Sequence, residues 1–245
     1  MTIFPPKCDG KMLHTEGLVL KTIKYGETSL IVHLYTRDVG LFRGIIGGVR
    51  TPRAGSRRAI AQVMNWVQMT CYYSERPVLH RIKDVHFSYV YQYLPFDPVR
   101  RAIGIFMVDV LNRVLTEGDH HQSLYDFIRK TFIHLDTAKA VAPEYPLQFL
   151  VRLTKYLGIQ PSLESQGRYF DLRDGVFVDI RPSHEAYLRE AEAELFRALL
   201  EGDGGRKFSK AERRWLYEML MDYYSMHVPH FQRPKSVVIL RQILE

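Results

Sequence analysis

The chain has 245 residues, 46% hydrophobic and 25% charged, with 16 Gly, 12 Pro and 2 Cys. That composition excludes collagen, low-complexity disorder and a disulfide scaffold, and the length suits one large or two small domains with genuine cores. The formal net charge is +7, and it is concentrated: residues 1–84 hold 13 Lys and Arg against 6 Asp and Glu, whereas residues 85–245 hold 21 of each.

No stretch approaches the roughly 18 consecutive apolar residues of a membrane span. The opening MTIFPPKCDG lacks a signal peptide's apolar run and cleavage site, so the expected location is the cytosol. Residues 1–13 form no pattern and are expected to be a flexible extension. From residue 14 the chain reads as strands: 14–25, 28–36 in clean alternation, 41–49 interrupted by Gly44, Gly47 and Gly48, then 60–73 and 78–87. Gly26-Glu27 and Asp38-Val39-Gly40 mark turns, and 51–58 reads as a polar loop. Strands joined by tight turns with no helix between them form an antiparallel sheet. Five of them in some 75 residues fit a small closed barrel of the OB type. Closure would account for the glycines, which let a strand bend sharply.

From residue 95 the apolar period changes to about 3.6. Asp97-Pro98 opens a helix over 99–115, Ser123 caps a second over 124–135, and a third covers 143–157, stopped by Gly158 and Pro161. A hairpin turning at Asp174-Gly175 is expected over 168–180. Ser183 would cap a helix over 185–200. Ser209 and Glu212 form a capping box for a helix over 210–227, and 236–244 reads as a last short helix. The fold class is α+β: a five-stranded barrel at 14–90, then a helical domain at 91–245 with a small hairpin insert at about 167–180.

Catalytic signatures are missing. There is no GxSxG, HExxH, GxGxxG or DFG pattern, and Gly44-x-x-Gly47-Gly48 lacks the Lys-Ser/Thr of a phosphate loop. Cys8 and Cys71 cannot make a cysteine-rich zinc site, the histidines read as surface or capping residues, and Asp171, Asp174 and Asp179 as solvated turn residues. No metal, cofactor or small-molecule substrate is expected. What the sequence does offer is Arg37, Arg43, Arg50, Arg53, Arg57 and Arg58 in one 22-residue window with a single acid, Asp38. Arginine grips phosphate bidentately, so this basic segment points to nucleic acid rather than to a membrane surface. Lys21 and Lys24 extend the set. Tyr25, Tyr35, Phe42, Trp66, Tyr72 and Tyr73 are aromatic candidates for stacking on bases, and Trp66 is carried with the DNA-binding set. A nuclease or modification enzyme and an RNA-binding OB protein stand as alternatives.

Three runs, Thr15-Glu16-Gly17-Leu18-Val19-Leu20, Tyr25-Gly26-Glu27-Thr28-Ser29-Leu30 and Tyr35-Thr36-Arg37-Asp38-Val39-Gly40-Leu41, resemble the opening of the bacterial RecO family of recombination mediators. Gly48-Val49-Arg50 resembles that family's Gly-x-Arg strand end. The run from Phe149 through Leu153 to Leu157-Gly158 resembles its Phe-x-x-x-Leu-x-x-x-Leu-Gly helix, and Lys235-Ser236 to Leu244 its closing helix. Many members carry a four-cysteine zinc cluster just after the Leu-Gly helix. Residues 160–179 here contain no cysteine, so this chain resembles a zinc-less variant in which a hairpin takes that place.

The resemblance implies an OB barrel plus a helical domain without enzymatic activity. It implies binding of single- and double-stranded DNA, annealing of complementary strands, and loading of the RecA recombinase onto strands coated by the single-stranded-DNA-binding protein SSB. The implied partners are RecR, the SSB C-terminal tail and, as a further candidate, RecF, in a bacterial cytoplasm at the nucleoid. An acidic, aromatic tail needs an apolar groove rimmed by cations. Phe149, Leu153 and Leu157, with Arg152, Lys155 and Gly158, are the expected site.

Overall fold

The computed structural model describes residues 11–49, 55–74, 79–118, 120–202 and 206–239, with only the backbone of Ser56 and Arg57. Five strands, β1 (Lys11–Tyr25), β2 (Ser29–Thr36), β3 (Gly40–Ile46), β4 (Trp66–Tyr73) and β5 (His80–Tyr89), form a closed barrel in the order β1-β2-β3-β5-β4. All neighbours are antiparallel except β3 and β5, which meet in a short parallel pairing. β1 closes the ring: residues 11–18 pair with β4, while residues 17–25 pair with β2. Val19, Val32, Leu34, Phe42, Val67 and Ile82 point inward and make the core.

Two glycines allow close packing. A Cβ on Gly17 would lie 2.7 Å from the carbonyl oxygen of Tyr35, and one on Gly44 2.6 Å from Ile82 Cδ1. The strand reading of the glycines holds for Gly44 alone. Gly47 and Gly48 lie beyond the end of β3, and Gly48 takes a positive φ of 70° in the turn that follows.

The expected loop and long fourth strand require correction. Residues 55–60 form a short helix, α1 (Gly55–Ile60), and β4 starts six residues later than expected, at Trp66. The cause is Asn65, whose side-chain amide donates to the carbonyls of Ala59 (2.7 Å) and Ile60 (3.2 Å) and so caps the helix end. Ile60 and Ala61 then join the barrel core. Cys71 is a fully buried free thiol whose pKa burial pushes up to about 11, which keeps it protonated. Cys8 lies outside the described residues, as does all of 1–10.

α2 (Pro98–Val114) and α3 (Gln122–Thr137) follow. Asp97 caps α2, accepting from the amides of Val99 (2.8 Å) and Arg100 (3.1 Å), as the Asp-Pro signal requires. Ser123 sits inside α3 rather than capping it. The amides of Leu124 and Tyr125 donate to the carbonyl of His121, one turn back. The strand-to-helix change falls where the sequence places it, but one compact unit runs through both helices to Thr137. The reason is a fully buried row on the outside of the barrel, Tyr35, Leu18 and Trp66 in register across β2, β1 and β4. Such a row must be covered. The rings of Tyr125 and Phe132 on α3 meet Trp66 edge-on at 5.7 and 6.2 Å.

The second unit, residues 138–245, holds α4 (Tyr145–Tyr156), β6 (Tyr169–Asp171), β7 (Val176–Val178), β8 (Tyr187–Leu188), α5 (Glu190–Glu201) and α6 (Lys210–His227). The expected hairpin is β6–β7, and β8 adds a third strand on the other edge of β6. That pairing draws residues 187–188 out of the expected helix. α5 therefore begins at Glu190, with Glu192 accepting from the Arg189 amide (2.9 Å), and Ser183 is no cap. Asp171 is buried rather than solvated. Its carboxylate accepts from the amides of Arg173 and Asp174 and faces His184 Nε2 at 3.1 Å. Phe170 is the core of this unit, packed on Phe177 (4.8 Å) and Phe196 (4.9 Å). α6 carries the expected Ser209–Glu212 box. Of the last expected helix, residues 237–239 are helical and 240–244 lie outside the described residues.

Gly17→Ala should destabilise the first unit by about 1–3 kcal/mol, because only backbone movement relieves the contact with the Tyr35 carbonyl. Urea unfolding of the variant beside the parent chain measures it.

Candidate nucleic-acid interface

Strict alternation from the inward-facing Val19 would send Lys21 into the barrel. A bulge between Val19 and Lys21 resets the phase, so Lys21 pairs with His33 and faces outward with it. His33 in turn pairs with Arg43. Lys21, His33 and Arg43 thus stand side by side across β1, β2 and β3, a row spanning roughly 10 Å at ordinary strand spacing. The next outward row is Ile23, Ile31, Ile45 and Arg81. Ile23 and Tyr25 are 40% and 39% exposed, and Arg81 and Lys83 stand exposed on β5. This face is a cationic stripe beside an apolar one.

The His33 imidazole is held below its ordinary pKa, first by burial and then by the charges of Arg43 and Lys21. Arg43 meets Glu117 at 2.7 Å, with both side chains about 60% exposed. An exposed pair of this kind is worth about 0–1 kcal/mol, so a phosphate can displace the carboxylate.

The other sequence candidates fall out unevenly. Arg37 is exposed but engaged with Asp38 (3.5 Å) and Glu16 (3.6 Å), and its hydrogen bond to Asp38 raises its pKa further. Lys24 is exposed at the end of β1, one residue out of phase with the row. Arg58 is exposed on α1 and Arg57 shares that helix, while Arg50 and Arg53 lie outside the described residues. Trp66 must be withdrawn as a stacking residue. It is 0% exposed under Tyr125 and Phe132, with the Arg129 guanidinium 5.3 Å from its ring, so no face is left for a base. Tyr35 and Phe42 are buried too, and Phe42 and Tyr73 sandwich His80 at 5.0 Å on either side. Of the six aromatics, Tyr25 stands on the cationic face. Arg81 and Lys83 are legible in the sequence as alternate residues of the fifth strand.

In the second unit, Phe149 and Leu153 are 2% and 0% exposed and belong to its core, with Leu157 half-buried. Arg152, Lys155 and Gly158 are exposed. Apolar and cationic residues therefore lie on opposite sides of α4 and make no rimmed groove. A groove of about 510 Å³ does exist between the approach to α4 and the end of α5. Ala142 and Pro143 supply its exposed apolar surface, over the buried Leu199 and Phe208, and Arg206, Lys207 and Arg213 its cations. Arg206 pairs with Glu212 (2.9 Å) and Arg213 with Glu144 (3.6 Å).

Among the described residues no group of three or more His, Cys, Asp or Glu could hold a metal ion, and no helix is long and apolar enough to cross a membrane. Two family models match the chain: Recombination protein O N terminal over residues 11–91, and Recombination protein O C terminal over residues 95–236. The chain belongs to the RecO family. The DNA repair protein RecO of Phocaeicola vulgatus is 29% identical over 235 residues, covering 94% of this chain and 98% of its own. Those of Bacteroides fragilis and Porphyromonas gingivalis are each 29% identical, over 238 and 241 residues, with the same coverage. As a member of that family it is a DNA repair and recombination protein, a mediator and not an enzyme, and the family implies DNA and RecR as partners.

Burial holds the His80 pKa below its usual 6.5. The unfolded chain then binds more protons than the folded one between the lowered folded value and 6.5. Stability of the barrel is therefore full above about pH 6.5 and falls as the pH drops below it. His80→Phe should keep the ring stack and flatten that part of the curve, read by urea unfolding at a series of pH values.

Proposed function

We propose that this protein binds DNA through the outer face of its barrel, anneals complementary strands, and with RecR helps load RecA onto SSB-coated single strands at the bacterial nucleoid. The observation that carries the reading is the Lys21–His33–Arg43 row. Side chains of this type replace the counterions condensed on the phosphates, and their release drives binding without regard to sequence. The Ile23–Ile31 stripe and Tyr25 offer bases an apolar surface beside the phosphate track. Annealing follows: two polyanions are brought together once their charge is neutralised, and base pairing drives the joining.

The acidic, aromatic SSB tail is assigned to the groove beside Phe208 rather than to α4. What supports this is the meeting of apolar floor and cationic rim, which α4 lacks. Exposed Lys207 would take a tail carboxylate, and Arg206 and Arg213 would exchange their carboxylate partners for those of the tail.

Reversing Lys21 and Arg43 together to Glu should weaken single-strand and duplex binding alike and flatten the duplex salt slope by about 2. Filter binding across a salt series checks it, and unchanged affinity and slope would remove the barrel face from the interface. For the tail, Arg206→Glu with Lys207→Glu should abolish binding of a labelled tail peptide while Arg152→Glu with Lys155→Glu spares it. The reverse pattern in anisotropy titrations would return the site to α4.

A further inference from the structure

The turn at residues 90–97, between β5 and α2, displays apolar side chains where a barrel-to-helix connection has no need of them. Tyr91 and Leu94 turn inward and are 8% and 1% exposed, while Val90, Tyr93 and Phe96 are 69%, 55% and 81% exposed. The amides of Phe96 and Asp97 both donate to the Tyr93 carbonyl, which brings residues 93 and 96 together across one turn.

The display is rigid. The fully buried Asp136 carboxylate accepts from the amides of Gln92 (3.0 Å), Tyr93 (2.9 Å) and Leu94 (2.7 Å) and from the Tyr89 hydroxyl (2.9 Å). Arg100 ties the other end, donating to the carbonyls of Leu135 (2.6 Å) and Asp136 (2.7 Å) and to Asp97 (3.3 Å). The backbone that carries the rings is therefore already ordered before anything stacks on them.

Asp97 caps the N-terminus of α2 and pairs with the buried Arg100, so the exposed cation of the first helical turn is Arg101. Arg101 is exposed, and the Arg100 guanidinium lies 5.7 Å from the Tyr93 ring. An aromatic pair beside an exposed arginine suits a ligand that is flat, apolar on its faces and anionic along its edge. An unpaired stretch of nucleotides is such a ligand.

We infer that this turn is a second, single-strand-selective contact, in which unpaired bases stack on Tyr93 and Phe96 and the adjoining phosphate meets Arg101. The inference rests on the DNA-binding reading given above. Bases stacked inside a duplex present no face to these rings, so the turn discriminates single strands from duplex, as a row of cations cannot.

Tyr93→Ala and Phe96→Ala are exposed substitutions that leave the Asp136 hydrogen bonds in place. Each should weaken binding of oligo(dT) roughly tenfold and leave a blunt duplex of equal length unaffected. In the parent chain, oligonucleotides carrying 5-iododeoxyuridine should crosslink to Tyr93 or Phe96 on irradiation. Phe96→Trp should keep oligo(dT) affinity and add an emission that the strand quenches. Equal loss on both DNA forms, or an unchanged single-strand preference without crosslinks, overturns the inference. So does lost RecR association with DNA binding intact, which would assign the rings to a protein interface. If the Lys21 and Arg43 reversal leaves DNA binding unaltered while these results hold, the barrel interface falls and the turn stands.

Discussion

The first unit depends on β1 serving two neighbours. Its first half closes the barrel against β4 and its second half pairs with β2, and the strand can do both because Gly17 lets the Tyr35 carbonyl approach closely. The bulge after Val19 then turns Lys21 outward. Because side chains alternate with a period of two, a slip of β2 by one residue would bury His33 and expose Leu34, and the corresponding slip of β1 would bury Lys21. The cationic row and the apolar core are two consequences of one register.

The outside of the barrel divides by residue type. Where the outward row is Tyr35, Leu18 and Trp66, helices cover it, since that much apolar surface stabilises only when removed from water. Where it is Lys21, His33 and Arg43, the surface remains open. His33 is held below its ordinary pKa by its partial burial and by the cations on either side of it.

Both units use a buried carboxylate to organise a turn. Asp136 gathers three amides of the 90–97 turn, and Asp171 holds the β6–β7 turn through two amides and His184. At Asp136 burial pushes the pKa up, but the amides of Gln92, Leu94 and Tyr93 and the Tyr89 hydroxyl outweigh it and keep the group ionised below the usual carboxylate range. In the second unit this device and the Phe170 cluster hold the β6–β7 hairpin together.

How much was legible follows from how local each signal is. Alternation, Gly-containing turns, the Asp97-Pro98 start, the Ser209–Glu212 box and the Asp174-Gly175 turn act within a few residues, so the sequence alone determined an α+β chain with a five-stranded barrel, helices and a hairpin. The RecO motifs and the excess of arginine were equally visible. The tertiary structure decided the rest, because it turned on partners distant in the chain. Trp66 is a core residue because α3 covers it. Lys21 faces outward because a bulge opposite β2 reverses its phase. The apolar stripe of α4 belongs to its own core, and the backbone of the turn that carries Tyr93 is fixed by an aspartate some forty residues away. Burial and register are properties of pairs of segments, and no single segment encodes them.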